Sequence, residues 1–225
     1  MNPFIDFFLK ENVVLVLGDY RMSWIELLAT IFNLLAVWLS SREKVSNWWT
    51  GLLGISLFMG LSYQVRLYAD VFLQVFFFAS NCVGWYKWTR PVKKNEGQLK
   101  MLRVSALSLS HRSVLFLLLL VTTVFMGMFF MKIHLFLPDY FPQSAAFPFA
   151  DSLIMAGSIF AQILLINKKI ETWLLWILVN CVAIFVYAQR EIYLTSLLYA
   201  LFLIISVEGF RRWELSLRKD RQGLH

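Results

Sequence analysis

Residues 171–188 read ETWLLWILVNCVAIFVYA, an apolar run with a single amide, Asn180, near its middle. A membrane-spanning helix needs about 20 predominantly apolar residues, and this stretch therefore predicts one span. Six further runs of similar character complete a set of seven predicted spans, at 23–40, 48–64, 67–88, 112–131, 149–166, 171–188 and 192–210. The sequence thus predicts an all-α integral membrane protein with seven transmembrane helices in a lipid bilayer.

The composition of the chain agrees with this class. Of its 225 residues, 59% are hydrophobic and only 16% are charged, against roughly a quarter charged in soluble domains. These values exclude a disordered chain, a disulfide scaffold and a soluble domain. Cys82 and Cys181 lie within apolar segments, and no zinc-binding or CxxC spacing occurs. We therefore expect neither a metal ion nor a cofactor.

The basic residues predict the orientation. Loops 41–47, 87–112 and 167–171 and the tail after Phe210 hold sixteen of the 21 Lys and Arg residues, and the opposite side holds five. Cytoplasmic loops are enriched in Lys and Arg, so the N-terminus is predicted outside and the C-terminus in the cytoplasm. The net charge of +7 is then a signal of topology, and nucleic-acid binding is not needed to explain it.

Two parts of the chain resemble each other. In each part a Trp precedes a Tyr by fourteen residues, and a Gly further on begins a Gly-aromatic-x-basic-Trp segment. An alignment with one inserted residue pairs Trp49 with Trp173, Tyr63 with Tyr187 and Gly84 with Gly209. This pattern predicts an ancestral duplication in which spans 1–3 match spans 5–7.

An odd span between two three-helix repeats lets both repeats enter the membrane with the same orientation. The prediction is therefore a 3+1+3 arrangement of two parallel repeats and a linker helix.

An interfacial helix is predicted through Phe4, Phe7, Phe8 and Leu9. The predicted segments are an N-terminal interfacial segment at 1–22, repeat 1 at 23–88, a cytoplasmic loop at 89–111, the linker helix at 112–131, a periplasmic loop at 132–148, repeat 2 at 149–213 and a cytoplasmic tail at 214–225.

Polar and aromatic side chains follow one face of every span except the fourth, whose residues 114–121 read VLFLLLLV. Polar groups in hydrocarbon cost free energy unless they are paired or hydrated, so six such faces predict an enclosed polar cavity. Ionisable residues fall near the span ends, which favours facilitated diffusion over ion coupling. Candidate residues for the pathway or its gates are Glu26, Asn33, Ser56, Tyr63, Tyr187 and Tyr199.

The motif Trp173-x2-Trp176-x3-Asn180, together with Gln74 and the stretch 81–88 (NCVGWYKW), resembles the PnuC nicotinamide riboside transporters. The resemblance implies a homotrimer that carries nicotinamide riboside across the bacterial inner membrane by facilitated diffusion. It also implies a cytoplasmic nicotinamide riboside kinase that phosphorylates the imported riboside and so traps it in the cell. The substrate contacts it implies are Trp173, Trp176 and Asn180, supported by Gln74 and Asn81.

Other functions fit the residues less well. A thiamin carrier, or another vitamin carrier of the same architecture, stays open because thiamin is also a cationic aromatic molecule. A seven-span receptor does not explain the repeat or the short loops. An enzyme would need a nucleophile–base pair or a metal cluster, and His111, His134 and His225 lie outside the spans and far apart in sequence.

Overall fold

The computed structural model describes residues 8–17, 20–64, 68–93, 99–136 and 145–222. Within them the chain forms seven α-helices, and each predicted span is one of these helices. They are α1 (Trp24–Ser41), α2 (Ser46–Gln64), α3 (Tyr68–Thr89), α4 (Leu109–Phe136), α5 (Pro148–Ile166), α6 (Glu171–Gln189) and α7 (Tyr193–Arg221). Helix α4 extends beyond its predicted span at both ends, and α7 continues eleven residues past the predicted end at 210. The prediction of an all-helical protein with seven helices is confirmed.

Five helices in the described part of the chain are long and apolar enough to cross a membrane, namely α1, α4, α5, α6 and α7. Helices α2 and α3 are 19 and 22 residues long. For these two, the prediction that they span the bilayer rests on their place in the repeat.

The chain divides into two compact units after Leu102. The first unit holds α1, α2 and α3, with α2 packed against both of the others. The second unit holds α4 to α7, with α6 packed against α5 and α7, and α4 packed against α5. In each unit, the helix that carries the aligned Trp therefore lies between its two neighbours.

Small residues of α2 make room for two amides in the first unit. A Cβ added at Gly51 would lie 2.5 Å from Oδ1 of Asn81 on α3, and one added at Gly54 would lie 2.9 Å from the side chain of Asn33 on α1. Close approach at small residues is typical of helices packed in membranes. The glycines thus bring polar side chains against both sides of α2.

An antiparallel hairpin precedes α1 and was not predicted from the sequence. Strand β1 (Val13–Leu17) pairs with β2 (Tyr20–Ser23). Of the residues of the predicted interfacial helix, Phe8 and Leu9 lie in a turn and a bend, and Phe4 and Phe7 lie outside the described residues. A second small ribbon, β3 (Val92–Lys93) with β4 (Leu99–Lys100), lies in the loop between α3 and α4.

Side chains attach this N-terminal segment to the first unit. The Tyr20 hydroxyl donates a hydrogen bond to the carboxylate of Glu26. Gln64, at the end of α2, donates to the carbonyl of Phe8 at 3.0 Å and accepts from the backbone N–H of Lys10 at 2.8 Å. Burial raises the pKa of Tyr20, and the hydrogen bond to Glu26 and its charge act in the same direction, so Tyr20 stays a hydrogen-bond donor at neutral pH.

The segment that leads into α4 is bound to the turn between α5 and α6. Ser105 makes two backbone hydrogen bonds with this turn. Its N–H donates to the carbonyl of Lys168, and its carbonyl accepts from the N–H of Ile170, both at 3.0 Å. Oε1 of Glu171 accepts from the backbone N–H of Leu107 at 3.0 Å and from Nε of Arg112 at 2.9 Å. Glu171 is only 3% exposed. The start of α4 is therefore fixed to the turn between α5 and α6.

Candidate substrate-binding site

Helices α6 and α7 are antiparallel neighbours. On each helix, three polar or aromatic residues spaced seven positions apart face the other helix. Positions seven apart lie two turns along the same helical face. The facing side chains form three layers: a Trp layer (Trp173 and Trp213), an amide layer (Asn180 and Ser206) and a Tyr layer (Tyr187 and Tyr199). Four of these six residues were predicted from the sequence, and Ser206 and Trp213 complete the layers.

The Trp layer is tightly packed. Trp173 and Trp213 meet edge to face, with ring centroids 5.5 Å apart and an interplanar angle of 88°. Trp173 is 1% exposed, and a Cβ added at Gly209 would lie 2.7 Å from its ring. The indole Nε1 of Trp173 is buried and meets no acceptor among the described residues. In this conformation Trp173 is a packing residue of the unit interior.

The amide layer places a polar group at the middle of α6. Asn180 is 2% exposed, and its Nδ2 donates to Oγ of Ser206 at 3.1 Å. Ser206 in turn donates to the carbonyl of Phe202 at 2.7 Å. Buried polar groups need such partners, and an amide also carries an acceptor and a second donor hydrogen that a ligand can use.

The Tyr layer is a parallel stack. The rings of Tyr187 and Tyr199 have centroids 5.3 Å apart and an interplanar angle of 13°. Phe202 approaches Tyr199 edge-on, with centroids 6.2 Å apart. Both tyrosines are half-buried, so their faces are less enclosed than those of the Trp layer.

Trp176 has different surroundings from the other two residues of its motif. It is partly buried against an apolar cluster that includes Leu119 of α4 and Ala161 of α5. Trp173 and Asn180 face α7 instead. Residues 173, 176 and 180 lie within about 60° of one another around the helix axis, so Trp176 occupies the edge of the same face of α6, toward α4 and α5.

The first unit repeats this geometry at a constant distance of 125 residues. Helices α2 and α6 start at Ser46 and Glu171 and end at Gln64 and Gln189, so both ends are 125 residues apart. The preceding turns each contain one left-handed residue at the same separation, Glu43 with φ 55° and Lys168 with φ 48°. The predicted insertion of one residue is therefore wrong.

Trp48, and not Trp49, is the counterpart of Trp173. Trp48 meets Trp88 edge to face at 5.1 Å and 89°, and a Cβ added at Gly84 would collide with its ring. Trp49 is 51% exposed and packs on Trp85 at 4.7 Å. The Trp48–Trp49 doublet allowed the wrong register in the sequence.

The corrected register shows which residues of the second unit correspond to the predicted site residues of the first unit. Gln74 and Asn81 are the counterparts of Tyr199 and Ser206. Ser56 and Tyr63 lie one residue beyond the layer positions Ile55 and Ser62 on α2, and Tyr63 is 67% exposed, so they lie outside the layers. The first unit thus carries the same Trp layer, with different chemistry in the other two.

The remaining predicted pathway residues, Glu26 and Asn33, have partners within the first unit. Asn33 donates to the carbonyl of Ala29 at 3.0 Å, and Glu26 accepts from Tyr20. Asp151 occupies the position of Glu26 in the second repeat and pairs with Arg190 at 2.6 Å. Each repeat thus begins with a carboxylate that has a partner.

The layers of the second unit contain no charge. Residues 172–189 and 193–207 include no Asp, Glu, Lys or Arg. Ion pairs occur at the two ends of α6, Arg112 with Glu171 at 2.9 Å and Asp151 with Arg190 at 2.6 Å. The described residues contain no group of three His, Cys, Asp or Glu side chains that could hold a metal ion.

Several apolar helices with a neutral aromatic and amide interior have the organisation of a multi-pass membrane transporter. Residues 23–215 match the family described as "Nicotinamide mononucleotide transporter". The chain belongs to this family, the PnuC transporters. Its relatives are transporters, which confirms that it is not an enzyme.

Known proteins align with nearly the whole length of this chain. The nicotinamide riboside transporter PnuC of Escherichia coli is 36% identical over 233 residues, which cover 96% of this chain and 97% of the relative. The riboflavin/roseoflavin transporter RibM of Streptomyces davaonensis is 23% identical and covers 91% of each chain. A crystal structure of the vitamin B3 transporter PnuC, 24% identical, aligns with a TM-score of 0.62 and covers 87% of this chain and 83% of that one. This likeness shows the fold of that transporter.

Proposed function

We propose that this chain carries nicotinamide riboside across the bacterial inner membrane by facilitated diffusion. A cytoplasmic nicotinamide riboside kinase would phosphorylate the imported riboside and make uptake net inward. The observation that carries the proposal is the uncharged amide layer of Asn180 and Ser206, which lies between a Trp layer and a Tyr layer. The name of the Escherichia coli relative, a nicotinamide riboside transporter, supports the same substrate.

The chemistry of the layers suits the parts of this substrate. Besides its bond to Ser206, the Asn180 amide offers an acceptor and one further donor hydrogen to a carboxamide. The pyridinium ring is cationic, and a desolvated cation on an aromatic face is stabilised by roughly 2 kcal/mol. Trp176, which is half-buried, is the tryptophan of the motif that we propose to contact the ring, whereas Trp173 supports α6 against α7. The roles of Gln74 and Asn81 stay predictions from the sequence.

The absence of charge favours the riboside over its mononucleotide. A phosphate group in a dry site needs Lys, Arg or several N–H donors, and the segments 172–189 and 193–207, which hold the amide layer and the Tyr layer, contain no Lys or Arg. We therefore propose that the mononucleotide is excluded, although the family description names it.

Transport without ion coupling is supported by the same distribution of charge. Carriers driven by protons or sodium ions usually place ionisable groups near the membrane midplane. Here Asp151 and Glu171 lie in the first turns of α5 and α6 and are paired with Arg190 and Arg112. Uptake would follow the concentration gradient of the substrate alone.

The architecture that we propose is the 3+1+3 arrangement with α4 as linker helix, the N-terminus outside and the C-terminus in the cytoplasm. The constant distance of 125 residues between matching helix ends supports the duplication. The sixteen-to-five division of basic residues supports the orientation. A homotrimer with one substrate site in each protomer follows from the family resemblance.

A thiamin carrier, or a carrier of another vitamin, is the second candidate. Thiamin also carries a cationic aromatic ring, and the RibM relative is named for riboflavin and roseoflavin transport. The Trp176–Asn180 pair favours nicotinamide riboside, because an amide can pair with the carboxamide that thiamin lacks.

Uptake into proteoliposomes tests the proposal. We expect labelled nicotinamide riboside to enter until the inside and outside concentrations are equal, and to accumulate only with an enclosed kinase and ATP. Unlabelled riboside should compete, whereas the mononucleotide, thiamin and riboflavin should not. Saturable uptake of labelled thiamin or riboflavin, without uptake of the riboside, would favour the second candidate.

A further inference from the structure

We propose that the Tyr layer of Tyr187 and Tyr199 is a separate docking subsite for the cationic ring of the substrate, occupied before the ring reaches Asn180. This inference rests on the proposed function. It assigns the stacked tyrosines a role in cation selection, in addition to packing.

The spacing separates the two positions. Tyr187 lies seven residues after Asn180 on α6, which corresponds to about 10 Å along the helix. A pyridinium ring is smaller than this distance, so one ring cannot contact both layers. The Tyr layer therefore provides a distinct position toward the end of α6 that we propose to be periplasmic.

The geometry of the stack suits a flat cation. The rings are nearly parallel, at 13°, so their outward faces are flat surfaces of negative electrostatic potential. The edge of Phe202 against Tyr199, with centroids 6.2 Å apart, holds that ring in place. Because both tyrosines are half-buried, a cation on them is partly desolvated, and the cation–π attraction is strengthened by desolvation.

A neighbouring positive charge is compensated. Arg190 follows Tyr187 by three residues and would repel a cationic ring if its charge were free. Its guanidinium pairs with Asp151 at 2.6 Å, and both side chains are about one-third exposed. The ion pair thus preserves the attraction of the Tyr layer for a cation.

The subsite belongs to the second repeat alone. The counterparts of Tyr187 and Tyr199 in the first unit are Ser62 and Gln74, neither of which is aromatic. The two repeats share the Trp layer and differ here, which indicates that the stacked tyrosines are not needed merely to pack two helices of this fold.

Stopped-flow binding to the purified full-length protein tests the inference with two ligands, nicotinamide riboside and its uncharged dihydro form. Tyr187→Leu and Tyr199→Leu should each lower the association rate constant of the cation by about three- to thirtyfold, the range of a cation–π contact. Binding of the uncharged form should change much less. Tyr193→Leu is the matched control, because Tyr193 is 68% exposed at the start of α7, and it should bind both ligands as the wild type does.

A shape-conserving variant covers the case in which a leucine variant does not fold. Pentafluorophenylalanine at position 187 keeps an aromatic ring but reverses the charge distribution of its face. It should therefore weaken binding of the cationic ligand more than binding of the uncharged one. Asp151→Asn should do the same by freeing the charge of Arg190. Folded variants that bind the cation like the wild type would overturn the subsite, whereas a wild-type protein that binds no riboside would overturn the proposed function itself.

Discussion

Gly209 of α7 lies so close to the indole of Trp173 on α6 that a methyl group at this glycine would be 2.7 Å from the ring. Gly84 and Trp48 have the same relationship in the first unit, 125 residues earlier. Each contact brings two helices together at one depth and fixes the register of the layers beyond it. The same Trp–Gly contact therefore occurs in both units.

Gly209→Ala should destabilise the protein. The added methyl overlaps ring atoms that cannot move away, and overpacking of this kind costs about 1–3 kcal/mol. Thermal unfolding in detergent should show a lower midpoint for Gly209→Ala and likewise for Gly84→Ala. Gly60→Ala is the control, because its Cβ would lie 3.6 Å from Ile25, an ordinary contact. Equal stability of all three variants would show that the close contact does not constrain the helices.

Asn180→Leu should separate binding from folding. A polar bond between helices in a membrane is worth only about 0.6 kcal/mol on average, so the variant should fold. Loss of a hydrogen bond to the substrate in a dry site costs about 1–3 kcal/mol, so binding of nicotinamide riboside should weaken roughly tenfold or more. Cys181→Leu, at the next and exposed position, should bind normally when both variants are measured by calorimetry. Unchanged affinity in a folded Asn180→Leu protein would mean that the carboxamide site lies elsewhere.

Glu171→Ala should loosen the attachment of the start of α4 to the turn between α5 and α6. The substitution removes the acceptor for Leu107 and for Arg112, and the loss of hydrogen bonds to a buried carboxylate costs about 1–3 kcal/mol. Faster amide hydrogen exchange is expected at Leu107, together with a lower unfolding midpoint. Glu214→Ala breaks an exposed ion pair with Arg218 and should cost less than about 0.5 kcal/mol. Similar effects of both variants would argue against a specific attachment.

Labelling in spheroplasts tests the orientation. In a variant with Cys82 and Cys181 replaced, Gly97→Cys should be protected from an impermeant maleimide until the membrane is broken, because the loop is basic. A cysteine at Ser144, in the predicted periplasmic loop, should react at once. The reverse pattern would invert the proposed topology.

The sequence predicted the helices well because membrane spans are defined by long apolar runs, a signal that does not depend on tertiary contacts. It also indicated Asn180, Tyr187 and Tyr199 as residues of the interior face, since polar and aromatic residues at spacings of seven share a helical face, and their roles in binding and in the pathway stay predictions. Gln74 and Asn81 were implied by the family resemblance, and their roles stay predictions.

The register within the repeat was not predictable from spacing alone. Trp48 and Trp49 are both aromatic, and only packing against Gly84 and Trp88 distinguishes the buried one. The hairpin of β1 and β2 was missed because Val13–Leu17 is a short apolar run without alternation. Sequence also could not show that Trp173 is enclosed by α7 while Trp176 faces α4 and α5, because that distinction depends on which helices become neighbours.

We propose that this chain moves nicotinamide riboside, and not its mononucleotide, down a concentration gradient. The most direct test of this proposal is uptake of the two labelled compounds into proteoliposomes that contain only the purified protein, with and without imposed proton and sodium gradients. We predict that the riboside equilibrates at the same level under all conditions and that the mononucleotide stays outside. Entry of the mononucleotide, or accumulation of the riboside above its outside concentration under an ion gradient, would contradict the account.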